Sequence, residues 1–433
     1  MRLLMYSWEF PPKSVGGLAR HVHDLSLALV REGHEVHLIT CGGQGLPAYD
    51  NLQGVQIHRV STYSLTAPDF KTWILHLNLA MLEYTITLLN NLDGEIDLVH
   101  NHDWLTAYAA RAVKHACNVP LVATIHATEY GRNHGLHNDE QRYISDVEWW
   151  LTYEAWKVIV CSSYMEEELR RVFQLPKDKL RVIPNGVEPA EFIVKDVQPD
   201  FKSSYAHPDE KIVFFVGRLV QEKGVQVLLT AIPKVLHYHP RTKFIIAGKG
   251  PNEHYLKSRA KELGVEQSAY FTGYIDDATR NQLYKCADVA VFPSLYEPFG
   301  IVALEAMAAR TPVVVSDTGG LSEIINHELN GLKFYTGSAN SLADNILHIL
   351  CDPVFAKSIE DQAYADVREI YNWSLIARQT GELYQEVLSL YRESIWKRPA
   401  LASSWDYGYF ATMPGAERPG DQDCSGNQAR QYQ

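Results

Sequence analysis

What most constrains this chain is a rhythm that runs through its first half and starts over in its second. The apolar runs "RLLMYSW", "EVHLITCG", "VQIHRV", "IDLVH", "PLVATIH" and "KVIVCS" alternate with segments of helical period, among them Gly17 to Glu32, Trp73 to Leu92 and Trp104 to His115. A crossover helix is the usual link between parallel neighbours, so this alternation predicts a parallel sheet with helices on both faces. "LRVIPNGVEPAEF" breaks the rhythm, and the polar stretch from Lys195 to Glu210, with Pro199 and Pro208, reads as a linker. The alternation then resumes with "KIVFFVG", "KFIIAG", "AYFTG", "VAVFPS" and "PVVVS", separated by helical segments and followed by helices to about Tyr371. The expected fold is α/β, with two doubly wound, Rossmann-like domains facing across a cleft. Their expected extents are residues 1–194 and 195–371. An amphipathic helix over 372–393 follows, and 399–433, rich in Gly, Asp, Gln and Ser without periodicity, reads as a disordered tail. At 433 residues and 46% hydrophobic content the chain is long enough to bury two cores.

Charge and cysteine usage narrow the partners. A formal net charge of −12 argues against nucleic acid, whose phosphate backbone needs a basic surface. The 6 cysteines are scattered singly with no C-x-x-C pair, which reads as reduced thiols in the cytoplasm. Glu9 interrupts the N-terminal apolar stretch too early for a signal peptide. The one stretch resembling a membrane span, Trp73 to Leu92, carries His76, Asn78, Glu83, Asn90 and Asn91, and reads as an amphipathic core-packing helix. No integral membrane segment is therefore expected. The oligomeric state is open.

In doubly wound sheets, ligands collect beyond the carboxyl ends of the strands, so the residues just past each strand are the informative ones. Gly16 and Gly17 follow a strand and open a helix, where backbone can approach a phosphate or sugar, or can simply start a helix. Arg218 follows another strand, and Lys223 with Gly224 lies at the mouth of the next helix. Two cations beside free helix amides suit a diphosphate, while a surface pair of Arg218 with Glu222 is the plainer alternative. Glu297, Pro298, Phe299 and Gly300 precede the apolar helix "IVALEAMAA". The Phe299 and Gly300 amides sit at its positive end, and Glu297 can accept from sugar hydroxyls. Glu305 is the lone carboxylate inside that helix and needs donors, from a ribose diol or from a buried base of the chain itself.

The strand end "LVHNHDWLTAY" places His100 and His102 on one side of a strand. That spacing invites a metal reading, but no third ligand is evident, and Asp103 is expected to cap the following helix. His126 closes another strand in "VATIHATEYGR", where a lone histidine is more often structural than catalytic. The aromatic set Trp149, Trp150, Tyr153 and Trp156 has helical spacing and reads as core, with sugar stacking as its alternative.

Together these motifs resemble the retaining glycosyltransferases of the GT-B fold, specifically family four and the related glycogen and starch synthases. The resemblance rests on an E-x7-E pattern from Glu297 to Glu305, on "GRLVQEKG" and "TGGLSE", and on "PPKSVGGLARHV" with "LVREGHEVHLIT"; it runs from Met1 to about Tyr391. It implies a nucleotide-sugar donor held mainly by the second domain and a carbohydrate acceptor by the first. It further implies that Arg218 and Lys223 hold the diphosphate, that Glu305 binds ribose and Glu297 the donor sugar, and that the Phe299 and Gly300 amides meet sugar or phosphate. Gly17 would face the phosphates from the other domain, and the final helix would cross back onto the first domain. "HNHDW" and "IHAT" look like the glycogen synthase branch, where the equivalents of Asp103 and His126 line the reaction centre. One departure is that Lys13 precedes the glycine pair by two residues, in K-S-V-G-G-L, where that branch usually carries K-x-G-G-L.

The expectation is transfer of a hexosyl group, glucose above others, from ADP-glucose or UDP-glucose to a glycan with an α linkage. No cofactor and no metal are called for, since two cations neutralise the diphosphate. Alternatives are a family-four enzyme acting on a small-molecule, lipid or cell-envelope acceptor, and a sugar-nucleotide epimerase. A non-catalytic sugar binder is disfavoured, because it has no use for a diphosphate clamp.

Overall fold

The computed structural model describes residues 1–13, 16–63, 65–92, 95–194 and 200–397; the expected tail over 399–433 and residues 195–199 of the expected linker lie outside the described residues. The first part of the chain runs β1 (Arg2–Ser7), α1 (Gly17–Arg31), β2 (Glu35–Cys41), β3 (Tyr49–Leu52), β4 (Val55–Val60), α2 (Phe70–Asn91), β5 (Leu98–His102), α3 (Ala107–Cys117), β6 (Leu121–Ile125), α4 (Glu129–Asn133), α5 (Asp139–Glu154), β7 (Lys157–Val160), α6 (Ser163–Phe173) and β8 (Leu180–Val182). The second runs β9 (Lys211–Val216), α7 (Val225–Tyr238), β10 (Thr242–Ala247), α8 (Glu253–Glu262), β11 (Ala269–Gly273), α9 (Asp277–Cys286), β12 (Val289–Phe292), α10 (Ile301–Ala308), β13 (Val313–Ser316), α11 (Gly319–Ile324), β14 (Leu332–Phe334), α12 (Ala339–Cys351), α13 (Pro353–Glu369) and α14 (Trp373–Glu393).

These strands form an 8-stranded sheet ordered β3-β4-β2-β1-β5-β6-β7-β8 and a 6-stranded sheet ordered β11-β10-β9-β12-β13-β14. Every pairing is parallel except β3 with β4. Strand order reverses between β1 and β5 in the first sheet and between β9 and β12 in the second. Such reversal points leave a crevice at the carboxyl ends, because the flanking crossovers run to opposite faces. The residues that follow these four strands are the stretches holding Gly17, Asp103, Arg218 and Glu297.

Three strands escape the sequence reading. β3 pairs with β4 through a two-residue turn at Gln53 and Gly54, whose φ values of 50° and 99° are both positive, as a tight hairpin requires. Its polar "YDNL" carries no apolar alternation because it is an exposed edge. β8 lies within the stretch expected to end the rhythm, and β14 within the stretch expected to be helical; each is an edge strand of only 3 residues, too short to show a period.

Helix α2 contains the stretch resembling a membrane span, and no described helix is long and apolar enough to cross a membrane. Its buried Asn78 donates from Nδ2 to Leu105 O and Ile74 O, both 2.8 Å away, and accepts at Oδ1 from Ala109 N at 3.0 Å. A saturated amide of this kind locks α2 onto the start of α3. Helix α14 returns to the first sheet. Trp373, Ile376, Ala377, Leu383, Tyr384 and Val387 join the core formed by β1, β2 and α1. At roughly 1.5–3 kcal/mol for each large apolar side chain fully buried, this return is strongly held. Of the aromatic set, Trp156 packs against the first core as expected, whereas Trp149 and Tyr153 on α5 stand 46% and 64% exposed and stack on each other at 5.6 Å.

Candidate active site

After β9 the chain turns through Gly217 and Arg218 into a 3-10 turn at Gln221–Lys223 and then into α7. Gly224, at φ +71°, lies so close to the loop after β12 that a Cβ there would sit 1.7 Å from Pro293 O. Only glycine permits that approach. The contact is sealed by Leu295 N donating to Glu222 O at 2.7 Å. Two loops from the reversal point are thereby fused, and Lys223 Nζ reaches Glu297 Oε2 at 2.6 Å, where Ser294 Oγ also donates at 3.0 Å. Arg218 remains 46% exposed and meets Glu222 at 3.6 Å, the plainer alternative of the sequence reading. A contact that long and wet contributes little, so the guanidinium is free to turn to a ligand.

Glu297 O accepts from Gly320 N at 2.9 Å, which fixes the peptide ahead of α10. Gly300 is the N-cap of α10, and Phe299 is buried beside it. Gly17 opens α1 and is exposed; a Cβ there would lie 3.3 Å from Cδ1 of Ile301, the first residue of α10. The positive ends of two helices, one from each sheet, therefore meet, a setting that attracts anions.

Glu305 has its partners within the chain. Buried in α10, it lies 3.6 Å from Arg280 Nη1 and accepts from Tyr284 OH at 3.3 Å, both on α9. Burial pushes its carboxyl above the usual carboxylate range, against the opposing charges of Arg280 and Arg20 and the Tyr284 hydrogen bond. Among the described residues, no hydrogen bond or ion pair joins its side chain to another expected site residue.

On the first sheet, β5 ends at His102, and Asp103 adopts φ 57°, ψ 177°, a conformation almost confined to glycine. Asp103 does not cap the next helix as expected. Its Oδ1 accepts from the backbone amide of His126, the residue past β6, at 2.8 Å. Burial pushes the Asp103 carboxyl up to about 6, partly offset by the charge of Arg132 and by the His126 amide. Burial, then the Arg132 charge, holds His126 down at about 3, so its ring is neutral at physiological pH.

The third histidine that the sequence did not reveal is His21, on α1. His21, His102 and His126 bring one ring nitrogen each within 4.8 Å of one another. Nothing in the spacing links His21 to β5, since helix and strand meet only when the sheet forms. His100 lies against His102 at 4.2 Å between ring centroids, but both its ring nitrogens are engaged, with Thr124 Oγ1 and Tyr384 OH, each at 2.7 Å.

Contacts between the sheets complete the centre. Ser162 Oγ donates to Pro298 O at 2.6 Å, and Tyr296 OH donates to Glu168 Oε1 at 3.0 Å. The Glu323 carboxylate accepts from Ser163 N at 2.9 Å and Tyr164 N at 2.7 Å, capping α6. Buried Cys161 lies between the two halves: burial, then the charges of Asp103, Glu297 and Glu323, push its thiol well up. Pro298 and Glu323 lie in motifs of the sequence reading, but their partners Ser162, Ser163 and Tyr164, and the Tyr296–Glu168 pair, carry none. Lys13 Nζ is turned toward Cys41 Sγ at 2.9 Å and lies over Trp73.

The chain was compared with known proteins. The family "Glycosyltransferase Family 4" matches residues 15–191, and "Glycosyl transferases group 1" matches residues 196–366. An uncharacterized glycosyltransferase of Methanocaldococcus jannaschii is 43% identical over 90% of this chain and 99% of its own length. A glycogen synthase of Mycobacterium tuberculosis is 34% identical over 89% of this chain and 94% of its own. The sucrose-phosphate synthase structure from Thermosynechococcus elongatus superposes with a TM-score of 0.78 at 26% identity, covering 90% of this chain and 99% of that one. With two parallel sheets meeting at their reversal points and relatives spanning nearly all of the described chain, the protein belongs to the family 4 glycosyltransferases of GT-B fold, in the glycogen synthase-like group.

Proposed function

We propose that the enzyme moves a hexosyl group, with glucose the expected hexose, from ADP-glucose or UDP-glucose to a glycan acceptor, forming an α linkage with retention. The observation that supports this most is the Lys223–Glu297 pair at 2.6 Å beside half-exposed Arg218, at the meeting point of two helix N-termini. On this reading residues 1–194 with 372–393, and 195–371, act as two domains closing on the donor. Arg218 and Lys223 take the diphosphate, Lys223 exchanging part of its interaction with Glu297 for a phosphate oxygen. Glu297, relieved of that partner, accepts from hydroxyls of the donor sugar. The Phe299 and Gly300 amides and Gly17 border the phosphates, Glu305 receives the ribose diol, and Asp103 and His126 line the acceptor side.

Retention then follows from same-face transfer. The bond from C1 to the diphosphate oxygen breaks, an oxocarbenium-like sugar forms, and the acceptor oxygen bonds C1 from the face just vacated. The acceptor proton passes to a leaving-group oxygen. Electrostatic stabilisation of the departing diphosphate by Arg218, Lys223 and the helix termini supplies most of the rate. No metal enters these steps.

A second reading, a small-molecule, lipid or cell-envelope acceptor, is favoured by one observation: Lys13, displaced by one residue from the usual spacing, is engaged with Cys41. A panel of ADP-, UDP- and GDP-glucose against glycogen, maltose and small sugar or lipid acceptors separates the two, with product mass and anomeric configuration as readouts. An inverted product, or turnover of the donor to an epimer without acceptor, would overturn the proposal.

A further inference from the structure

The cluster of His21, His102 and His126 is built in a way that simple packing does not explain. His21 is 4% exposed, yet its Nε2 has no hydrogen-bond partner among the described residues. His21 Nδ1 is held at 2.7 Å from Asn185 Oδ1. An amide oxygen can only accept, so the proton sits on Nδ1 and the lone pair on Nε2 is left without a partner among the described residues. His102 Nδ1 and His126 Nε2 face each other at 3.3 Å. Zinc binds imidazole nitrogen at about 2.0–2.1 Å, so two ligands on a tetrahedral ion stand roughly 3.3–3.4 Å apart. That pair therefore already has the separation of two ligands on one ion. The ring of His21 packs at steep angles against both others, 72° to His126 at 4.6 Å between centroids and 61° to His102 at 5.4 Å. Asn185 is the kind of outer partner that fixes the tautomer of a ligating histidine.

We infer that His21, His102 and His126 bind one divalent transition-metal ion of the zinc class, and that its binding blocks sugar transfer. Three imidazoles with a fourth position left over suit zinc, cobalt or nickel rather than magnesium or calcium, which take oxygen ligands. His21 and His102 close the site from within, while His126 is only half-buried, so the fourth position opens on its side. Uptake of the ion stands on this geometry alone. Only the block rests on the transfer reading, because it requires that His126 border the reaction centre. The ion is thus an inhibitor, consistent with transfer that proceeds without a metal.

The test uses the full chain freed of any histidine tag. Zinc chloride is titrated calorimetrically, bound zinc is measured after dialysis, and cobalt chloride is added to read the visible bands of a tetrahedral site. The expected result is one tight equivalent per chain with tetrahedral cobalt bands. His21→Ala and His126→Ala each weaken it by about 100-fold or more, and Asn185→Ala weakens it by about 10–100-fold through the lost outer partner. Far-ultraviolet circular dichroism and melting confirm that the variants fold; His21→Gln serves if His21→Ala does not. No stoichiometric uptake, or uptake unchanged in both His21→Ala and His126→Ala, overturns the site. Transfer activity is followed in parallel. Inhibition is expected to saturate at one equivalent, to reverse with a chelator and to require far more zinc in His21→Ala. Tight uptake without inhibition overturns the block but keeps the site.

Discussion

Glu297 Oε2 is shared by the Lys223 ammonium and the Ser294 hydroxyl, whereas Arg218 nearby has only a distant, exposed partner. That contrast separates catalysis from stability. Arg218→Ala is expected to lower kcat by about 10²–10³, the usual effect of losing one stabiliser of developing charge, while leaving Tm within a degree or two. Steady-state kinetics with a melting curve on the same preparation checks both, and near-normal turnover would contradict the assigned role. Glu305 presents the reverse case. Arg280→Ala leaves a buried carboxylate with the Tyr284 hydrogen bond and the more distant Arg20 charge, and is expected to destabilise by about 3–5 kcal/mol in urea unfolding. The double change Arg280→Met with Glu305→Gln should recover much of that loss, since no unpaired charge remains. The sequence showed that Glu305 needed a donor but not which one. Arg280 follows no motif, and only the packing of α9 on α10 brings the two together.

At the scale of elements, helix α5 is tied to α3 by one carboxylate. Glu154 accepts from Lys114 at 2.7 Å, Arg111 at 2.9 Å and His115 at 2.9 Å. Burial pushes this carboxyl up, but hydrogen bonds from Lys114, Arg111 and His115 and the charge of Lys114 outweigh it and hold it at about 2, below its ordinary 4.5. A carboxylate depressed on folding stabilises fully above its unfolded value and loses that contribution as pH falls through its folded one. Glu154→Gln is therefore expected to lower Tm at pH 7, with the deficit against the parent shrinking between pH 4.5 and 2. Melting curves across that range decide it; a constant deficit would assign the effect to packing instead. The long crossover elements were legible because period and length agreed. The short edges β3, β8 and β14 were not, because 3 or 4 residues against one neighbour carry no period. Trp149 and Tyr153 misled for a related reason: helical spacing shows which residues share a face, not whether that face is covered.

Over the whole molecule, the double rhythm of the sequence revealed two sheets, and the rule of strand ends found residues at both reversal points. The joints between the halves were not legible as joints, because Pro298 and Glu323 stand in motifs while their partners across the junction do not: Ser162 on Pro298, Tyr296 on Glu168, Glu323 on the start of α6. Glu323→Ala is expected to loosen that junction. A closed centre excludes water, so the variant should hydrolyse more donor for each transfer completed. Measuring free sugar against product, with small-angle scattering for expansion, tests this; an unchanged ratio and radius would mean that the carboxylate merely caps a helix. The bond from Ser162 to Pro298 has a wider meaning. On the proposed function, the jaw's fastening and the grip on its cargo belong to one strip of backbone, residues 297–298. Prising the jaws apart would then tug on the very peptide assigned to hold the cargo, so unloading and unlatching would become a single mechanical act.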